Sequence, residues 1–410
     1  MASCFIYDLH NFLLLKSILF VTIHLPYPPN KGASVFNTFK LVEYLNRQYT
    51  LFVASLLKED DAEHADDFVQ HFSLSQFALQ PIDVPRSVAN LAKSYLQNIS
   101  LNVYRSRSVA LRDKIAAVAD QYDVIFIDHY EAFQYVPQTY RGRVILRIHN
   151  AEFMMWRRFA RLQKNPLKKL VTLLESYRIR RLERKYSRRA DVVLGPAEDN
   201  MHIEPRASVR AEKFVSFPFL GDESQLELPL PDFEQVGHNI IYVGTLTWEP
   251  NVDGLLWFIS ECWATVRAKF PDVKLSIIGK NPDPRLTEAV AQSQGIELTG
   301  FVEDLEPYFL QSKVNIVPLR FGSGIKVKVI NGLYRGIPMV TTPIGIESID
   351  ITPGRDILLA EDATAFADHV SALLADSQQC RALADHGRET AAEKYTWQAL
   401  YRTLSEVIEG

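Results

Sequence analysis

The sequence predicts an α/β protein built from two parallel-sheet halves. Strand-like apolar runs alternate with helical segments along the whole chain. A polar stretch carrying Pro229 and Pro231 divides it near the middle. Its 410 residues are enough for two or three domains with ample core.

The elements support this in order. The apolar stretch 12–23 is broken by Lys16 and too short to span a bilayer, so residues 16–24 read as the first buried strand, after a loose extension at 1–15. Further strand-like runs in the first half are 50–55, 123–127, 144–148 and 190–194. The linker is 223–238, without sustained periodicity. Second-half strands are expected at 240–243, 274–278, 297–299, 314–318 and 339–341. Composition is that of an ordinary globular protein, with 47% hydrophobic and 23% charged residues. A net charge of -4 gives no global pull toward nucleic acid. Cys4, Cys262 and Cys380 lie far apart, without metal spacing, and point to a reducing compartment.

The most informative stretch is 321–348, FGSGIKVKVINGLYRGIPMVTTPIGIES. A strand leads into Gly322, Ser323 and Gly324, helical spacing follows, and Gly336 sits where a helix C-cap glycine belongs. A glycine loop feeding a helix presents free N–H groups at a positive helix end, an anion site. Lys326 and Lys328 add two cations to its first turns.

This segment resembles the donor-sugar site of GT-B glycosyltransferases, particularly glycosyltransferase family 4 ("glycosyl transferases group 1"). Gly322, Ser323, Gly324, Lys326, Lys328, Gly336, Pro338, Val340 and Thr342 match its pattern. The stretch 242–253, YVGTLTWEPNVD, matches a second family segment through Gly244, Trp248, Pro250, Asn251 and Asp253. The resemblance implies two Rossmann-like domains facing a cleft. An acceptor domain at 1–222 would be completed by the C-terminal helix at 395–410, and a donor domain would span 239–394. It implies donor contacts from Gly32, in the stiff loop LPYPPNKGA, and from Gly244, Asn251, Gly322, Ser323, Gly324, Lys326, Lys328 and Asn331. His129 or Asp128, ending DVIFIDHY, is implied beside the sugar, and Glu347 is a further catalytic candidate. His149, Asn150 and Glu152 of RIHNAE would face the acceptor.

The activity the resemblance implies is retaining transfer from a nucleotide-diphosphate sugar to a glycan or lipid-linked acceptor, in bacterial surface polysaccharide synthesis at the cytoplasmic face. No cofactor, metal or nucleic acid is implied. The departures are Asn331, where the family usually has a glutamate, and Ser323, where it has another. A sugar-nucleotide epimerase, or a non-catalytic binding protein with a degenerate site, fits the same residues. Finally, 157–189 holds thirteen Lys or Arg against two acids, with aliphatics at helical spacing and a break near Asn165–Pro166. It reads as a basic helical pair suited to an anionic membrane surface, with a solvated face as the plainer reading.

Overall fold

The computed structural model describes residues 16–163, 165–196, 203, 213–322 and 324–410. Cys4 lies outside them; Cys262 and Cys380 are buried free thiols.

In the first half the strands are β1 (Ser17–Thr22), β2 (Thr50–Leu57), β3 (Phe77–Pro81), β4 (Val124–Asp128), β5 (Arg143–Arg147), β6 (Val192–Gly195) and β7 (Phe214–Ser216). They form one parallel sheet in the order β3-β2-β1-β4-β5-β6-β7. The second half holds β8 (Asn239–Val243), β9 (Lys274–Ile278), β10 (Ile296–Gly300), β11 (Val314–Val317), β12 (Met339–Thr341) and β13 (Leu358–Leu359). Their order is β10-β9-β8-β11-β12-β13. Both sheets thus follow the doubly wound order, with reversals at β1/β4 and β8/β11, where crevices form at the strand C-terminal ends. Central strands are buried along their length, as in VIFID of β4, because helices cover both faces.

Three strands were not expected from the sequence: β3, β7 and β13. The basic run 157–189 does form two helices, Glu152–Leu162 and Pro166–Arg189. Asn165 caps the second, its Oδ1 accepting from the N–H groups of Leu167 and Lys168 at 2.9 and 3.1 Å.

The stretch 223–238 lies against the second half, where Arg335 donates to the Pro229 carbonyl and Arg388 to that of Leu228. The chain then returns. Thr396 caps the last helix, Trp397–Glu409, which packs on the first half. Tyr401 stacks on Tyr44 at 4.2 Å and Trp397 meets Phe36 edge-on. One apolar core runs through this contact, joining Phe20 and Leu41 to Leu404, and continues to Ile330 and Leu333 of the second half. Among the described residues, no helix is long and apolar enough to cross a membrane.

Candidate active site

At the C-terminal end of β4, Asp128 is completely buried. Its Oδ1 accepts from Arg147 Nη1 at 3.0 Å and from His149 Nε2 at 2.8 Å. Its Oδ2 accepts from Thr38 Oγ1 at 2.9 Å. Burial alone would raise this carboxyl, but His149 and Arg147 beside it hold it well below the usual range. Burial lowers both His149 and His129. Arg147 supplies a permanent opposing charge.

The network also fixes the tautomer of His149. With Nε2–H donating to Asp128, Nδ1 accepts from Ser34 Oγ at 3.1 Å. His129 stacks on that ring at 3.5 Å, yet its Nε2 lies 3.8 Å from Asp128, too far for a hydrogen bond. Its backbone sits at φ 74°, a strained conformation for a non-glycine residue. The neighbouring strand holds it there, His129 N donating to the Arg147 carbonyl at 3.0 Å. Asp128, His129 and His149 are close enough to share a metal ion, but Arg147 competes for the carboxylate.

Across the cleft, Gly322 and Gly324 adopt φ 149° and 74°. Ser323 lies outside the described residues. A Cβ on Gly324 would stand 3.1 Å from Asn150 Cβ, so the glycine lets this loop approach the turn carrying His149 and Asn150. Lys326 is the N-cap position of the helix Val327–Arg335, whose first turn contains no acid and which ends at Gly336, φ 67°. Its Nζ lies 3.6 Å from Glu347.

Lys328 points away from that pair. Its Nζ donates to Tyr242 Oη at 2.8 Å and to Asn251 Oδ1 at 2.9 Å. Asn251 is oriented by its own Nδ2, which donates to the Thr245 carbonyl at 2.9 Å. Both acceptors are neutral, and burial, with Lys326 nearby, lowers the ammonium to about 7. A Cβ on Gly244 would stand 2.9 Å from Nζ, so that glycine leaves the ammonium accessible at close range.

Asn331 accepts from the Asp222 N–H at 3.2 Å. Gly32, φ 156°, precedes the helix Ala33–Gln48 and has open space around its Cα. Glu152 Oε1 accepts from Asn102 Nδ2 at 3.2 Å and Trp156 Nε1 at 3.1 Å. The structure therefore brings Asp128, His129, His149, Asn150 and the Gly322–Gly324 loop together. Lys328, Asn251 and Gly244 form a neighbouring group.

Sequence reasoning missed three participants. Tyr242 reads locally as a strand residue. Arg147 had a signal, a cation inside an apolar strand, which requires a buried partner. Arg158 was counted only among surface charges, yet it spans the cleft. Its guanidinium makes two bonds to the Glu347 carboxylate, at 2.8 and 2.6 Å, and one to the Gly322 carbonyl.

Residues 237–376 match the family described as Glycosyl transferases group 1. Over that stretch the chain is similar to the glycosyl transferases group 1 family. An uncharacterized 44.6 kDa protein in the cps region of Klebsiella pneumoniae is 21% identical over 366 residues, covering 87% of this chain and 90% of that one. Among solved structures, Anabaena HepE in complex with UDP and glucose superposes with a TM-score of 0.67 at 13% identity, covering 96% of this chain and 99% of that one. Sucrose-phosphate synthase from Thermosynechococcus elongatus gives 0.67 at 16%, covering 96% and 98%. TarM gives 0.67 at 11%, covering 97% and 99%. The fold is GT-B, and with its group 1 domain the protein is a glycosyltransferase.

Proposed function

We propose that this glycosyltransferase, of family 4, retains anomeric configuration and moves a sugar from a nucleotide-diphosphate sugar to a glycan or lipid-linked acceptor. The observation carrying the reading is Lys328, a half-buried ammonium whose acceptors, Tyr242 and Asn251, are neutral. A diphosphate oxygen supplies the missing negative charge, and the N–H groups opening the helix Val327–Arg335 point to the same end. The departing diphosphate is stabilised there without a metal ion, while the acceptor hydroxyl is held near His129. Asp128 acts through His149 and Arg147 as a positioning group. The HepE complexes with UDP-glucose support the donor class. The relative in a cps region supports a role in surface polysaccharide synthesis.

Calorimetric titration with a panel of nucleoside diphosphates, followed by turnover of the matching sugar nucleotides, tests the reading. A diphosphate should bind and its sugar should be transferred or released with retained configuration. Release of an altered free sugar indicates an epimerase, and binding without turnover a non-catalytic module. Failure of every nucleoside diphosphate to bind removes the donor assignment.

We also propose that the acceptor domain docks on anionic membrane. On the helix Pro166–Arg189 both acids face inward, Glu175 at 2% and Glu183 at 1% exposure. Leu167, Leu170, Leu174 and Tyr177 lie exposed along one face, beside exposed Lys168 and Lys169. Vesicles containing phosphatidylglycerol should bind the protein, and salt should release it as screening shortens from about 10 Å at 0.1 M to about 3 Å at 1 M. Equal binding to neutral vesicles rejects this docking.

A further inference from the structure

A cavity of about 370 Å³ opens on the first half, a size suited to a small ligand or one sugar unit of a larger one. His129, His149 and Asn150 line its inner wall. His149 and Asn150 also pack on Gly324, so the cavity adjoins the donor loop. Its outer wall holds Lys58, Arg86 and Arg105, brought from beyond β2, from beyond β3 and from the end of the helix Leu101–Arg105.

No carboxylate of the described residues lies within ion-pair distance of these three cations. Lys58 Nζ donates to His24 Nδ1 at 2.9 Å, and Arg105 uses Nε on the Val84 carbonyl at 2.7 Å. Arg86 makes no hydrogen bond to the described residues and is exposed. The cations act on one another: Arg105 and Arg86 help to lower Lys58 beyond the effect of its burial, and Arg86 adds to the burial that lowers Arg105. Lys58 and Arg86 are exposed, Arg105 is half-buried, and Asp61 and Glu131 partly offset the repulsion at Lys58, so a ligand oxyanion would relieve what remains between three like charges gathered around one cavity.

The same wall contains two acids, Glu131 and Glu152. Burial, then Glu152 beside it, pushes Glu131 up to about 8, and burial raises Glu152. Burial thus favours the neutral form of both acids and weakens their claim on the cations.

We propose that this cavity receives an acceptor carrying its own oxyanion, a phosphate or a carboxylate, held by Lys58, Arg86 and Arg105 while an acceptor hydroxyl faces His129 and the glycine loop. The acceptor role rests on the glycosyltransferase reading above. Arginine pairs both kinds of oxyanion through parallel N–H groups, and two arginines with a lysine suit a group of two or three oxygens.

The test uses the full chain and three probes: glucose 6-phosphate, glucuronic acid and glucose, titrated with and without UDP. At least one charged probe should bind at least about tenfold more tightly than glucose, and which one does so distinguishes phosphate from carboxylate. The double substitution Arg86→Gln, Arg105→Gln should weaken that probe about tenfold or more and leave UDP affinity intact. Lys328→Ala should do the reverse. Arg86 is exposed and unbonded, so Arg86→Gln alone serves as a variant that keeps the fold. The proposal is overturned if neither charged probe binds, if glucose binds as well as both, or if probe affinity follows Lys328 rather than the arginines. Binding of UDP without either charged probe rejects this inference alone. Binding of a charged probe without UDP removes the donor reading and the acceptor role together.

Discussion

The two halves repeat one strand order, yet the sites at their switch points are in opposite electrostatic states. At the end of β4, Asp128 is buried with Arg147, His149 and Thr38 on its oxygens. Beside β8, Lys328 is held only by a phenol and an amide. The first charge is answered within the protein, and the second is not. An internally paired charge fixes geometry, whereas a half-buried cation with only neutral acceptors among the described residues is one that an anion would stabilise.

Removing each charge in turn is the sharpest way to break that contrast. Asp128→Ala should give the largest effect, because it leaves Arg147 buried without its counter-charge. A loss of about 3–5 kcal/mol in denaturant unfolding is expected. Asp128→Asn, which keeps the hydrogen-bonding shape, should cost less. An alanine variant as stable as the parent would show that the first site is not internally paired in solution.

Lys328→Ala should weaken nucleoside diphosphate binding by about 1.5–3 kcal/mol while barely changing binding of the bare nucleoside. Equal affinity of variant and parent for the diphosphate would abolish the contrast. Acidity gives a second view of the same site. The ammonium sits at about 7 in the free protein, lowered from 10.5 by burial and by Lys326. An anion binds the protonated form, so affinity should fall as pH rises through this value, with proton uptake on binding. The dependence should vanish in the alanine variant. The stability term runs the other way: the unfolded chain binds the extra proton between about pH 7 and 10.5, so this lysine makes the fold more stable as pH rises across that window.

Asn331→Glu should have the smallest effect, tightening donor binding by about 1 kcal/mol as a neutral acceptor becomes a charged one. Calorimetry with a sugar nucleotide reads it directly. A folded variant with no donor affinity would place the ribose elsewhere.

How much of this was legible in the sequence depended on where each element sits. The central strands declared themselves as continuous apolar runs, because both of their faces are covered. The three unexpected strands, β3, β7 and β13, all lie at sheet edges. There burial is weaker and apolar patterning fades, as at Phe77, which is 45% exposed. The glycine loop and Lys328 were readable because backbone freedom and charge are local properties. The reach of Arg158 to Glu347 was not. Nothing in thirteen clustered cations says which one meets a carboxylate 189 positions away, since that pairing exists only once the halves are set face to face.

The return of the last helix to the first half also orders the protein's manufacture. The first half is synthesised early, but Leu400, Leu404 and Ile408, which complete its apolar core, emerge only after the whole second half has been made. Until then the surface around Phe36 and Tyr44 stays uncovered, open to chaperones and to neighbouring nascent chains. Truncation before the helix Trp397–Glu409, or a bulky insertion within it, therefore injures the half of the molecule that was made first.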